Sequence, residues 1–268
     1  MTESTKTPKL GGWLPDSTQP DLERHVDVLF HDNVSQVVSS MTTTVIEKNG
    51  VIDLRHWCSP VENQRDLGSC VGNSVVGALE FLQGRDGLPQ KDLSRLFVYY
   101  NSRLMHGAQE VDGGTYIRLA IGTLSSLGTC SEEKWPYDTS KVFVRPTWGS
   151  YREAYANKVG SYYRIIGTGG DRIDQVKKAI QTCNPVVFGV SIDQAFLNLR
   201  TGDVPEIDKS RIVGAHAMMI CGYDDTSQKL IVRNSWGTMW GDGGYCRMPY
   251  TYLDAGDADD LWVVTAVR

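Results

Sequence analysis

Gln64-Arg65-Asp66-Leu67-Gly68-Ser69-Cys70-Val71-Gly72-Asn73 decides how this chain is read. A glutamine stands six residues ahead of a cysteine, Gly-Ser comes just before that cysteine, and an apolar pattern follows it. Val71, Val75, Ala78, Leu79 and Leu82 fall at helical spacing and Gly84 ends the run. Taken alone, Cys70 reads as a small core hydrophobe. At the first turn of a helix, however, unpaired N–H groups and the helix dipole favour a thiolate. Ser69 reads as the N-cap, and Gly68 lets backbone approach closely. Gln64 can aim its amide at the point reached by the Cys70 backbone N–H, which makes a pair of donors for an oxyanion. A thiol in this setting still needs a base.

The candidate base lies 146 residues on, in Gly214-Ala-His-Ala-Met218. His216 begins a predicted strand and is flanked by small residues that leave room for a substrate. Eighteen residues later comes Arg233-Asn-Ser-Trp-Gly237. A strand ending at Asn234 beside the His216 strand lets the amide oxygen accept from the imidazole and fix its tautomer. Each residue alone has a bland reading, His216 as a satisfied core histidine and Asn234 as a strand end. Their order and spacing together favour the nucleophilic reading.

Composition narrows the alternatives. The chain has 268 residues, 41% hydrophobic and 22% charged, with a net charge of -5. Such a balance is ordinary for a soluble globular protein and argues against a surface for nucleic acid, because the basic residues are scattered. No apolar run approaches a membrane span, and the polar N-terminus lacks the apolar region of a secretory signal, so a cytoplasmic location is expected. The six cysteines include no CxxC pair and the five histidines do not cluster, so neither a metal nor another cofactor is expected. Cys183, Cys221 and Cys246 are expected to be reduced and buried. Cys58 and Cys130, in predicted loops, are the one pair considered for a bridge.

Residues 1–47 read as an N-terminal extension outside the main core, and 48–268 as the main domain. After the helix behind Cys70, helices are predicted over Ser94–Met105, Thr115–Leu127 and Asp171–Thr182, the last capped by Asp171. Strands are predicted over Ser161–Ile166, Pro185–Ile192, Ala217–Tyr223, Lys229–Asn234, Gly244–Met248 and Leu261–Val267. A helical half at about 60–150 therefore precedes a mostly antiparallel half at about 151–268, an α+β arrangement of two lobes. Gly167-Thr-Gly-Gly170 lacks the Lys-Ser pair of a phosphate loop and reads as a connection. The acidic run from Asp254 to Asp260 reads as a solvated loop, with a place beside a specificity pocket as the second reading.

From about Val51 onward the chain resembles the papain-like cysteine peptidases. The resemblance rests on Val51-Ile-Asp-Leu-Arg55, Pro60-Val-Glu-Asn-Gln64, Gly68-Ser-Cys70, Leu93-Ser94, Asp112-Gly-Gly114, Trp135-Pro-Tyr137, Asn184-Pro-Val186, His216, Gly222-Tyr223 and Asn234-Ser-Trp-Gly237. It implies a two-lobe fold with the active site in the cleft, and hydrolysis of a peptide or protein substrate by a monomer. Gln64, Cys70, His216 and Asn234 would be catalytic. Trp236 would shield the His216–Asn234 bond from water, and Gly113, Gly114 and Ala215 would line the substrate groove. Thr115, Tyr116 and Gly189 are the candidates for the specificity pocket.

Leu67 and Val71 depart from the family pattern around the nucleophile, Leu67 by removing half of a disulfide found in secreted members. Neither does chemistry. An acyltransferase or deamidase on the same residues, or a silent binding protein, remains the alternative. The extension is shorter than a full pro-domain and carries Gly12-Trp-Leu-Pro-Asp16, similar to the leader of some bacterial members. Its Trp13 and Leu14 look exposed in a turn-rich piece, and Val26–Phe30 offers a second apolar anchor. By analogy with pro-segments, the extension is expected to lie along the cleft in a direction unsuited to cleavage, as an intramolecular inhibitor.

Overall fold

The structure, a computed structural model, describes residues 8–16 and 47–268; the Val26–Phe30 anchor lies outside them. Helix α1 (Cys70–Arg85) is the axis of the molecule, and Cys70 through Gln83 are all buried. A helix apolar on every side needs partners on every side. Helices α2 (Arg95–Leu104) and α3 (Ile117–Ser126) cover one flank, and the sheet covers the other. Glycines make the close approach possible: a side chain on Gly72 would stand 3.0 Å from the Arg95 carbonyl oxygen, and one on Gly77 would collide with the Arg233 guanidinium. The buried Glu80 is satisfied by Ser59 Oγ at 2.5 Å and the Leu93 N–H at 2.9 Å.

The chain then passes through α4 (Trp148–Ala154) into the second lobe. There β2 (Val159–Arg164), α5 (Gly169–Gln181), β3 (Val186–Asp193) and the short α6 (Gln194–Leu197) lead to the long β4 (Ile212–Asp224). β5 (Lys229–Arg233), β6 (Tyr245–Pro249), α7 (Thr251–Asp254) and β7 (Ala258–Val267) complete it. The sheet is antiparallel in the order β2-β7-β3-β4-β5-β6, and β1 (Val51–Asp53) pairs with β4. Helices first and antiparallel strands second make an α+β fold of two lobes, as the pattern predicts.

Local differences have physical causes. Helix α5 starts at Gly169 with Thr168 as its N-cap, so Asp171 sits in the first turn and complements the dipole rather than capping it. Ser69 is the N-cap of α1 but makes no capping bond; its hydroxyl instead meets that of Tyr137. Cys58 and Cys130 are not bridged. All six cysteines are free thiols, and Cys58 lies against Cys221, whose thiol donates to the Ile231 carbonyl at 3.7 Å. The strand over 258–267 absorbs the end of the acidic run, and Asp260 is buried with φ of +54°, not solvated. Trp13 also departs from expectation: it is 6% exposed and belongs to the main hydrophobic core.

Candidate active site

The register of the sheet brings His216 and Asn234 together. Met219 pairs with Arg233 across β4 and β5, so the next residue, Asn234, falls opposite Met218. His216 lies on the same face as Met218, two residues along, within reach of a diagonal neighbour. His216 Nε2 and Asn234 Oδ1 are 2.7 Å apart, and since the amide oxygen can only accept, the imidazole donates. Trp236 covers this bond, its ring 4.5 Å from that of His216 and tilted by 31°. Trp236 is braced in turn by Trp240 and Phe196.

Gln64 is tied to the same corner by backbone. Its N–H donates to the Ser235 carbonyl at 2.8 Å, and Gly237 N–H donates to the Glu62 carbonyl at 2.9 Å. The side-chain amide is oriented from both ends. Ser235 Oγ donates to Oε1 at 2.7 Å, while Nε2 donates to the Leu67 carbonyl at 2.9 Å and to the Lys9 carbonyl at 3.3 Å.

Cys70 opens α1 and lies beside Ala217, the residue after His216. Ser74 Oγ, one turn further, donates to the Ala217 carbonyl at 3.0 Å and pins the helix to β4. Cys70 and His216 are thus neighbours, yet the ion pair is not made: His216 Nδ1 is buried and makes no hydrogen bond among the described residues. Burial explains why. It pushes the Cys70 thiol up to about 12 and the His216 imidazolium down to about 4, so both groups are neutral.

The burying agent is the chain's own N-terminus. Gly11 N–H donates to the Ala215 carbonyl at 2.9 Å, Thr115 N–H to the Gly12 carbonyl at 3.0 Å, and Leu14 N–H to the Thr115 carbonyl at 3.0 Å. Gly12 lies directly on the thiol; a Cβ there would stand 2.6 Å from Cys70 Sγ and 2.6 Å from the Gly68 carbonyl oxygen. Gly114, with φ of +86°, leaves the space that the Gly11 and Gly12 carbonyls occupy. A side chain on Gly113 would meet only Val111. The main-chain partner in the groove is Thr115. Leu10 rests on Gly214, and ion pairs hold both ends of the segment, Lys9 with Asp112 at 2.6 Å and Asp16 with Arg118 at 2.7 Å. The indole of Trp13 covers Gly189 and donates to Asp260 at 3.2 Å.

Two groups escaped the sequence reading. Asp112 accepts from Gly68 N–H at 3.0 Å and from Tyr99 OH at 2.5 Å, and so holds the turn that presents Cys70. Tyr137 OH donates to the Gln64 carbonyl at 2.9 Å. Both stand in stretches that the resemblance rests on, but nothing local to them announces a partner across the fold. Among the described residues, no group of His, Cys, Asp and Glu is placed to hold a metal ion, and no helix is long and apolar enough to cross a membrane.

The chain is similar to known proteins along most of its length. The profile of the papain family cysteine proteases matches residues 49–256. An uncharacterized peptidase C1-like protein of Acanthamoeba polyphaga mimivirus is 34% identical over 93% of this chain and 85% of its own. Human cathepsin O is 29% identical over 75% of this chain and 60% of its own. Xylellain, a cysteine protease from Xylella fastidiosa, superposes with a TM-score of 0.77 at 29% identity over the full length of both chains. The family profile spans most of the chain and these relatives match it along most of its length, so the chain belongs to the papain family of cysteine proteases, which hydrolyse peptide bonds.

Proposed function

We propose that Cys70 is the nucleophile, His216 its acid–base partner, Asn234 the group that orients His216, and Gln64 a donor to the oxyanion, with residues 8–16 as a removable cover. The observation that carries this reading is that Gln64 Nε2 already donates to a peptide carbonyl, that of Lys9. A substrate carbonyl placed there receives the thiolate at its carbon. Its oxygen takes the negative charge, held by Gln64 Nε2 and the first-turn N–H of Cys70, which has no partner within the helix. His216 then gives its proton to the leaving nitrogen as the C–N bond breaks. The resulting thioester is attacked by water, with His216 taking the water's proton, and the carboxylate leaves.

The cover itself is spared for a geometric reason. The carbonyl at Gln64 belongs to Lys9, whereas the residue on the sulfur is Gly12. No one peptide unit of the segment meets nucleophile and donor together. With the cover displaced, water returns to Cys70 and His216, and the thiolate–imidazolium pair becomes the favoured state.

Cys70→Ala should abolish cleavage of fluorogenic peptides, a loss of more than about four powers of ten, and should abolish labelling by an epoxide probe with the fold retained by circular dichroism. Retained activity with labelling at another cysteine would refute the assignment.

A further inference from the structure

Beside Asn234 lies a small cavity, about 10 Å³, between α1 and the end of β5. Three of the residues that line it, Asn73, Arg233 and Asn234, are 5%, 6% and 3% exposed. Each carries one buried side-chain atom that makes no hydrogen bond among the described residues: Asn73 Oδ1, Arg233 Nε and Asn234 Nδ2. Neither amide can be turned round to relieve this. Asn73 Nδ2 donates at 3.0 Å to the Ser69 carbonyl, which can only accept, so Oδ1 faces away from Ser69. Asn234 Oδ1 accepts from His216 Nε2 and from the Ser235 N–H, each at 2.7 Å, so Nδ2 must point elsewhere. Arg233 turns Nη2 to Ser59 Oγ at 3.0 Å and to the Pro60 carbonyl, and Nε is left over.

We infer that this cavity is the site of one structural water, which accepts from Arg233 Nε–H and Asn234 Nδ2–H and donates to Asn73 Oδ1, and that Asn73 is thereby a positioning residue for Asn234. The inference rests on the reading of His216 and Asn234 as partners of Cys70. Size fits, because one water needs about 10 Å³ of space for its centre and two to four polar partners. Chemistry excludes an ion. A cation would meet the Arg233 charge and a single amide oxygen, since Glu62 at the wall is already paired with Arg95. An anion would face Asn73 Oδ1. Water alone serves two donors and one acceptor at once, and it removes the desolvation penalty of three buried groups. The Asn234 amide is then held at both ends, Oδ1 by His216 and Ser235 and Nδ2 by a water tied to α1. Donation from Nδ2 also makes Oδ1 a better acceptor, because linked hydrogen bonds polarise one another. The helix that carries Cys70 and the strand end that carries Asn234 thus share a partner across the lobes.

A crystal structure of the full chain that resolves ordered water tests the site. One water should stand at about 2.7–3.2 Å from all three atoms; no water there, or direct contact between the side chains, overturns the inference. The role of Asn73 is read from Asn73→Leu and Asn73→Asp on a cleaved peptide. Both lose the donation to Ser69, so the difference between them isolates the acceptor. Asn73→Leu should lower kcat about tenfold with KM little changed. Asn73→Asp still accepts from the water and should recover at least about threefold of that loss in kcat. Equal kcat in the two variants overturns the positioning role, because a fault in the Ser69 turn would weaken both alike. If the variants do not fold, the water in the unaltered chain still supports or overturns the site. Cleavage of no peptide by the unaltered chain would overturn the hydrolase reading instead, and the crystal structure alone would then decide for or against the water.

Discussion

Two strips of backbone meet at Cys70 and are held in different ways. One is the frame that carries the reactive groups: the head of α1, the His216 strand, and the Gln64 segment tied to Ser235 and Gly237. It is fixed by continuous ladders, with β3 and β4 paired from Val186 to Asp193, and by a helix buried from Cys70 to Gln83. The other is the cover, residues 8–16. It is held by a bridge at Thr115, a bond to Ala215, the Gln64 bond to the Lys9 carbonyl, the Arg164 bond to the Asp16 carbonyl, ion pairs at its two ends, and one indole. The exposed Lys9–Asp112 pair contributes little, about 1 kcal/mol or less, and burying Trp13 contributes more, about 2–3 kcal/mol by its apolar surface. The difference teaches that the frame is held along its whole length and residues 8–16 at a few points, which is what the proposed displacement by a peptide offering similar contacts requires. Tethering lets such weak contacts compete, because the effective concentration of the cover is high.

Breaking the frame should have the larger effect. Gln64→Ala removes a donor that matters most when the oxyanion forms, so kcat should fall by about two to three powers of ten while KM changes little. Steady-state kinetics on any cleaved peptide reads this. A rise in KM alone would mean that Gln64 binds peptide without stabilising the transition state.

Breaking the cover should raise activity instead. Gly12→Val forces a side chain into the 2.6 Å gap above Cys70 Sγ and the Gly68 carbonyl. Overpacking of this kind costs about 1–3 kcal/mol, so Cys70 should be alkylated about tenfold to a hundredfold faster, and short peptides cleaved faster by a similar factor. Unchanged rates would mean that residues 8–16 do not limit access.

A smaller effect sharpens the same contrast through pH. Under the cover Cys70 keeps its proton and His216 carries none, whereas the open cleft holds a thiolate and an imidazolium. The two states therefore bind the same number of protons near neutral pH, and covering should be flat from about pH 5 to about pH 8. In alkali the open cleft loses the imidazolium proton while Cys70, raised to about 12, keeps its own under the cover, so the covered state binds more protons and covering weakens as pH rises. Hydrogen exchange at the Gly11 and Leu14 amides, corrected for intrinsic rates, measures it; protection that rises from neutral pH into alkali would contradict the account.

The residues of the frame were legible in the sequence because each carries a local mark. Cys70 heads a helical pattern, His216 sits among small residues in a strand, and Asn234 ends the next strand. The α+β order of the lobes followed from where periodicity changes. Trp13 and Asp260 had no such mark. They are 247 residues apart, one in a stretch rich in turn residues and the other at the end of an acidic run, and each alone reads as exposed. Cys58 likewise meets Cys221 rather than Cys130, because strand β1 beside β4, not loop position, decides its neighbour. The sequence by itself pointed to Gln64, Cys70, His216 and Asn234, since the proposed chemistry needs particular residue types at the ends of particular elements. Only the tertiary structure decided that the cleft is covered, that Cys70 and His216 are neutral beneath the cover, and that the Trp13 indole meets the Asp260 carboxylate. Burial and pairing across the fold set those properties, and neither is written in any one stretch of the chain.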